Sequence, residues 1–374
     1  MRRPRLSSRV LAVVAAVSTL AVWPGATSSQ AQTPPAVMTA RSPTALTLQT
    51  PKAGRTRPLV VVLGHNGGAE TTDFVIPYGI LKDADVADVL SVSTDPGPVH
   101  LMMSMTILAD ATITQFDRRH PEGADLIIVP YIPDRKNAVV TAWLKDQYAK
   151  GATVMSICGG AANVAETGLF DGRKATTHWS GFGGLKRRHP TVQWTKDRRY
   201  LQDGRLISTA GVSASIPASL ALVEGIAGRQ AAEAQAARLG VKSWGGKHRT
   251  SDFLPTASDV AQGLANVLIF WRHETVEVPA REGYDEIALA LQSDAWGRTY
   301  KTKVVITGPA NTTLRSRRGL LLLPDAEPKE GAFVVPAHMG GGGAQLDQTL
   351  LDMDQRYGRR TTRLATKTLE YPRP

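Results

Sequence analysis

The run Thr153-Val-Met-Ser-Ile157-Cys158-Gly159-Gly160 passes from an apolar strand to a cysteine and two glycines, and a helix-length stretch follows to about residue 167. A nucleophile at a sharp strand-to-helix turn sits on strained backbone, and small neighbours let the chain pass close by. At a helix N-terminus the dipole and the free N–H groups favour a thiolate, so a lowered Cys158 pKa is expected. The plainer reading of the same residue is a small buried thiol that only packs.

Outward from this turn the chain alternates. Residues 59–63, 89–93 and 125–129 read as buried strands, and residues 136–149 read as a helix with Val139, Val140, Trp143, Leu144 and Tyr148 on one face. Strand and helix in alternation predict an α/β fold with a parallel sheet covered on both sides. In such sheets ligands bind at the carboxyl ends of the strands, where Cys158 lies.

The 374 residues leave room for two domains with a real core, and 42% hydrophobic with 21% charged residues excludes a disordered or fibrous chain. A single cysteine rules out an intramolecular disulfide, a zinc finger and an iron–sulfur site. The eight histidines show no metal-ligand spacing, so neither a metal nor another cofactor is expected. The net charge is +11, but the basic clusters (Lys186-Arg187-Arg188, Arg198-Arg199, residues 315–318, Arg359-Arg360) are scattered. Without a helix-turn-helix pattern or interleaved aromatics they read as solvated surface, and no nucleic-acid partner is expected.

Arg2, Arg3, Arg5 and Arg9 precede an apolar run at residues 10–22 that is too short for an ordinary transmembrane helix. Pro24-Gly25 breaks that run, and Ser29-Gln30-Ala31 offers a small-residue cleavage site. Residues 1–31 therefore read as a signal peptide, with an uncleaved anchor as the alternative. The protein is expected to be exported, periplasmic or extracellular, without membrane contact after cleavage. Residues 32–56 read as a linker.

Residues 154–179, around Ser156-Ile-Cys158-Gly-Gly160 and on through Gly168-Leu-Phe-Asp-Gly172 to Thr176-Thr177-His178-Trp179, resemble the nucleophile-elbow region of the ThiJ/PfpI superfamily, the class I glutamine-amidotransferase-like fold. They look most like the branch that also forms the amino-terminal domain of AraC-type regulators. Two further motifs agree with that resemblance. Gly68-Ala-Glu70-Thr-Thr-Asp73-Phe-Val-Ile-Pro77 follows the first strand as the family's acidic motif does, and Arg205-Leu-Ile-Ser-Thr-Ala-Gly211 precedes a helix at 216–226.

Together the matches cover residues 57–240 and imply a flavodoxin-like three-layer sandwich. By the resemblance Cys158 is the nucleophile, and Asp73 takes the place of the acid that shares a proton with its sulfur. Glu70 is a weaker candidate for that acid. His178 matches a histidine found near the cysteine in some members. A carboxylic acid buried beside a thiolate keeps its proton because two adjacent anions repel, which agrees with that role for Asp73. The plainer readings are a helix-capping Asp73 and a structural His178.

Two departures stand out. Gly159 occupies the position where the family's intracellular peptidases carry His and the isocyanide-hydratase branch commonly carries Thr. Pro130-Tyr131-Ile132-Pro133 replaces the Gly-Gly that supplies an oxyanion donor. Gly159 N–H and the Tyr131 backbone are therefore the candidate donors, and loss of one such donor costs about 10²–10³ in rate.

Residues 241–280 read as a connector, and residues 281–374 as an incomplete second ThiJ/PfpI-like copy without an elbow. Lys303-Val-Val-Ile-Thr307 echoes Leu90-Ser-Val-Ser-Thr94, and Arg318-Gly-Leu-Leu-Leu-Leu-Pro324 echoes the hairpin half at 105–111. Leu346, Leu350, Met353, Gly358 and Arg359 fall in step with Ile216, Leu220, Val223, Gly228 and Arg229. A parallel sheet lacking its central unit cannot bury both faces alone, so the tail is expected to pack on the first domain as a pseudo-dimer, with a homo-oligomer as the alternative.

The function expected is a cysteine-dependent hydrolase or lyase acting on a small electrophile such as a reactive carbonyl or isocyanide-like compound. The rival is a non-enzymatic small-ligand-binding or redox-sensing module. Third comes a regulator-related domain that lacks its DNA-binding part.

Overall fold

The computed structural model describes residues 46–372. The expected signal peptide and most of the linker lie outside these residues. Strand β1 (Leu59–Gly64) is wholly buried, as an apolar run covered on both faces must be. Helix α1 (Thr71–Ala84) starts where the Glu70 side chain accepts the Asp73 N–H and ends at Asp85 in the left-handed region. Strand β2 (Asp88–Ser93) follows, then the short hairpin β3 (Pro98–His100) and β4 (Thr106–Leu108), and β5 (Ala111–Thr112). A capping box between Thr112 and Gln115 opens α2 (Ile113–Arg119).

Next come β6 (Leu126–Val129), α3 (Ala138–Ala149), β7 (Thr153–Ser156) and α4 (Gly160–Glu166), within one or two residues of the sequence expectation. The minor pair β8 (Lys174–Ala175) and β9 (Gln193–Trp194) brackets α5 (Phe182–Arg188). Strands β10 (Tyr200–Asp203) and β11 (Leu206–Thr209) complete the main sheet before α6 (Ser215–Ala227) and α7 (Arg229–Leu239).

Among the described residues the main sheet has seven strands in the order β10-β11-β7-β6-β1-β2-β5. Its pairs are parallel except β10 with β11. Helices α1, α6 and α7 pack together, while α3 and α4 cover β6 and β7 on the other side. This is a three-layer α/β architecture.

The tail continues with α8 (Ala257–Leu268), β12 (Glu274–Pro279), α9 (Glu286–Gly297), β13 (Thr302–Thr307), β14 (Leu314–Arg315), β15 (Leu321–Leu323), β16 (Phe333–Val334) and α10 (Gly342–Leu369). Its sheet runs β13-β12-β16, all parallel, the same neighbour relations as β2-β1-β6. This sheet begins at Glu274, inside the stretch expected to be a connector, because Val276 and Val278 are buried strand residues. Helix α10 is interrupted at Gly358 (φ 80, ψ 159), as α6 and α7 are separated at Gly228 (φ 85, ψ 172).

Tail and main unit are joined at several places. Strand β15 pairs antiparallel with β4, matching Leu321 to Leu108, Leu322 to Ile107 and Leu323 to Thr106, so the two hairpins form one four-stranded sheet. Helix α9 lies against α1, and a Cβ on Gly79 would stand 2.7 Å from Ile287, so only glycine permits that approach. The nearly buried Arg318 bridges Asp83 (2.8 Å) of α1 and Asp285 (3.0 Å) at the start of α9. As a result α1 is buried from Thr71 through Leu81. Among the described residues no helix is long and apolar enough to cross a membrane.

Candidate active site

Cys158 joins β7 to α4 with φ 54, left-handed backbone that a non-glycine residue adopts at a cost of about 1–3 kcal/mol. Neighbouring elements hold it there. Its N–H donates to Thr209 Oγ1 (3.1 Å) at the end of β11, and its carbonyl accepts the Thr177 hydroxyl (3.1 Å). Gly160 permits the turn, since a Cβ there would stand 2.2 Å from the Val129 carbonyl oxygen. The side chain is 7% exposed.

The loop after β6 is pinned from both sides. The Asn163 side chain accepts the Ile132 N–H (3.1 Å) and donates to the Ile132 carbonyl (3.0 Å). On the other side Glu70 N–H donates to the Tyr131 carbonyl (2.8 Å), and Tyr131 N–H donates to Asp73 Oδ2 (3.1 Å). The Tyr131 N–H is thus occupied by Asp73 rather than offered to a developing oxyanion. The Tyr131 ring covers Gly159 instead, because a Cβ there would stand 2.8 Å from its Cδ2.

Asp73 is fully buried, and its Oδ1 has no hydrogen-bond partner among the described residues. Burial pushes its pKa well above the ordinary carboxyl range, and the nearby Glu70 adds to this. The Cys158 thiol is also raised well above its usual value, first by burial and then by Asp73, Glu70 and Glu370. This corrects the expectation of a lowered thiol pKa: α4 has only seven residues, and its N-terminal dipole does not offset desolvation among carboxylates. Both shifts favour the protonated form.

His178 is engaged elsewhere. Its Nδ1 lies 2.7 Å from Ser180 Oγ and its Nε2 lies 3.1 Å from the Thr368 carbonyl. Burial lowers its pKa. The structure therefore brings Asp73 and Glu70 to the sulfur's surroundings and turns His178 toward the end of α10.

Four residues went unnoticed in the sequence. Glu370, nearly buried and left-handed (φ 52), accepts N–H groups from Gly211 (2.8 Å) and Trp179 (2.7 Å), with His248 Nε2 at 3.0 Å. Burial raises its pKa, but His248, His178 and the Trp179 N–H bring it below the ordinary range. Arg298 donates to Glu70 Oε1 (2.8 Å) and pairs with Asp294 (2.9 Å). Burial pushes Asp294 up to about 7 against the pull of Arg298. The Asp294–Arg298 pair at i, i+4 was the one local signal available. Among the described residues no group of three or more His, Cys, Asp or Glu is arranged to hold a metal.

The DJ-1/PfpI family profile matches residues 59–225. Isonitrile hydratase of Pseudomonas putida is 32% identical over 167 residues, which cover 43% of this chain and 69% of that enzyme. The chain belongs to the DJ-1/PfpI family. The HTH-type transcriptional regulator CdhR of Pseudomonas aeruginosa is 31% identical over 144 residues, 38% of this chain and 41% of the regulator. The DJ-1/PfpI chain thus spans less than half of CdhR. Among solved structures, DJ-1β of Drosophila melanogaster matches half of the chain (50%) and 99% of its own length at 21% identity and a TM-score of 0.44. The DJ-1/PfpI match contains Asp73, Tyr131, Cys158 and His178, while Arg298 and Glu370 lie beyond it.

Proposed function

We propose that this DJ-1/PfpI chain is an exported, cysteine-dependent hydrolase or lyase acting on a small, uncharged electrophile. The observation that carries this reading is Cys158 held in left-handed backbone beside a buried Asp73 whose Oδ1 is unpaired. The surrounding surplus of buried carboxylates disfavours an anionic substrate, and a sulfur this enclosed favours a small one.

Burial favours the protonated form of both groups, and the chemistry is written from that form. As Sγ bonds to the electrophilic carbon, the S–H proton passes to one Asp73 oxygen, while the other gives its proton to the substrate's heteroatom or carbanionic centre. Water then attacks the adduct, the C–S bond breaks and the proton returns to sulfur. Asp73 ends as it began, and no net charge is created in the low-dielectric site. Isonitrile hydration, the activity in the name of the P. putida relative, follows this balance.

We also propose that the tail is an incomplete second copy of the same fold, standing in for a dimer partner. The shared β-order, the glycine breaks at Gly228 and Gly358, and the joint hairpin sheet support this. A binding or redox-sensing role is the second reading, favoured by one observation: Asp73 takes the Tyr131 N–H that an oxyanion hole needs.

The test is a turnover screen of a small isonitrile, a dicarbonyl and a small ester. At least one is expected to be converted, with Cys158→Ser reducing the rate by about 10³-fold or more. Conversion that survives the substitution contradicts the enzyme reading, and binding without conversion supports the second one.

A further inference from the structure

We propose that Arg298, contributed by the tail, is a positioning residue of the Cys158 site: it holds Glu70 so that Glu70 caps the helix presenting Asp73. This rests on Cys158 being the reacting group. One Glu70 oxygen accepts Arg298 Nη2–H (2.8 Å); the other accepts the Asp73 N–H (2.7 Å) and the Thr72 hydroxyl (3.0 Å). A single buried carboxylate therefore links a cation at the C-terminus of α9 to the first turn of α1. Arg298 is itself fixed by Asp294 (2.9 Å), and the Thr72 hydroxyl also reaches Asp294 Oδ2 (3.4 Å).

Around this link stand Glu70 at the cap of α1 and Asp73 in its first turn, Asp294 from α9, Tyr300 beyond it, Cys158 from the elbow, His178 from the loop after β8 and Glu370 from the end of α10. Among the described residues no other Lys or Arg makes an ion pair with Glu70, Asp73 or Asp294. Without Arg298, Glu70 and Asp294 are two buried acids with no cation, and Glu70 loses the partner that orients it toward the Asp73 N–H. Arg298 draws the thiol and the Asp73 carboxyl toward lower pKa, so the field at the sulfur depends on the tail. A purely structural staple changes stability only; a positioning residue also moves the thiol's titration.

The chain has one cysteine, so thiolate absorbance near 240 nm reports Cys158 alone once a Cys158→Ser chain is subtracted for tyrosine. In the full-length protein, Arg298→Met is expected to raise the apparent thiol pKa by about one unit and to slow alkylation about tenfold at fixed pH. Arg298→Lys is expected to restore much of that shift. A folded Arg298→Met chain that titrates like the wild type overturns the proposal. If Arg298→Met does not fold, Glu70→Gln is read instead, with an expected fall in the thiol pKa; an unmoved titration there overturns it equally. A shifted titration without turnover of any substrate refutes the enzyme reading alone. Turnover lost in Cys158→Ser with an unmoved Arg298→Met titration refutes the Arg298 role alone.

Discussion

Cys158 and Asp73 both sit on short motifs next to strands, where sequence order fixes position, and for that reason the sequence singles them out. The sign of the cysteine's pKa shift was not. A pKa sums over spatial neighbours, and Glu370, which adds to it, comes from the far end of the chain. Asp73 gives a direct check. Its carboxyl binds a proton more tightly in the folded than in the unfolded chain, so its contribution to stability is complete at acid pH and is lost as pH rises toward its folded value. Asp73→Asn mimics the protonated form and keeps an acceptor for Tyr131 N–H. It should therefore raise Tm at pH 8, by roughly 2 °C for each 1 kcal/mol gained, and the gain should shrink toward pH 4. Thermal unfolding of both chains at the two pH values measures this, and a gain that grows on acidification contradicts it.

At the scale of elements, the strands and helices of the main unit followed from apolar runs and turns, because burial on both faces leaves an unbroken signal. The close approach of β6 and α4 did not. Gly160→Ala drives a Cβ into the Val129 carbonyl and should cost about 1–3 kcal/mol or prevent folding, whereas Gly183→Ala in α5 meets nothing nearer than 3.8 Å and should be neutral or slightly stabilising. Urea unfolding of the two variants compares them, and equal midpoints would sink the claim. The last turn of α10 offers a second check. Glu370→Gln places an amide donor among the Gly211 and Trp179 N–H donors and should cost about 1–3 kcal/mol, with faster hydrogen exchange confined to residues 366–372.

For the whole molecule, α9 lies against α1 and β15 pairs with β4. Such contacts are not legible locally, since no local property of α1 says what will cover it. Deleting residues 274–374 uncovers α1 and the edge of β4 together. The shortened chain should aggregate or self-associate, read by light scattering after gel filtration; a soluble monomer with an unchanged Tm is the contrary result.

The most direct measurement is intact-mass labelling of the native chain with iodoacetamide from pH 6 to pH 10. A single adduct at Cys158 should form slowly near neutrality and faster through pH 9 and beyond, as expected for an enclosed thiol that holds its proton yet remains reachable. Labelling that occurs only after denaturation would make Cys158 a packing residue and contradict the account.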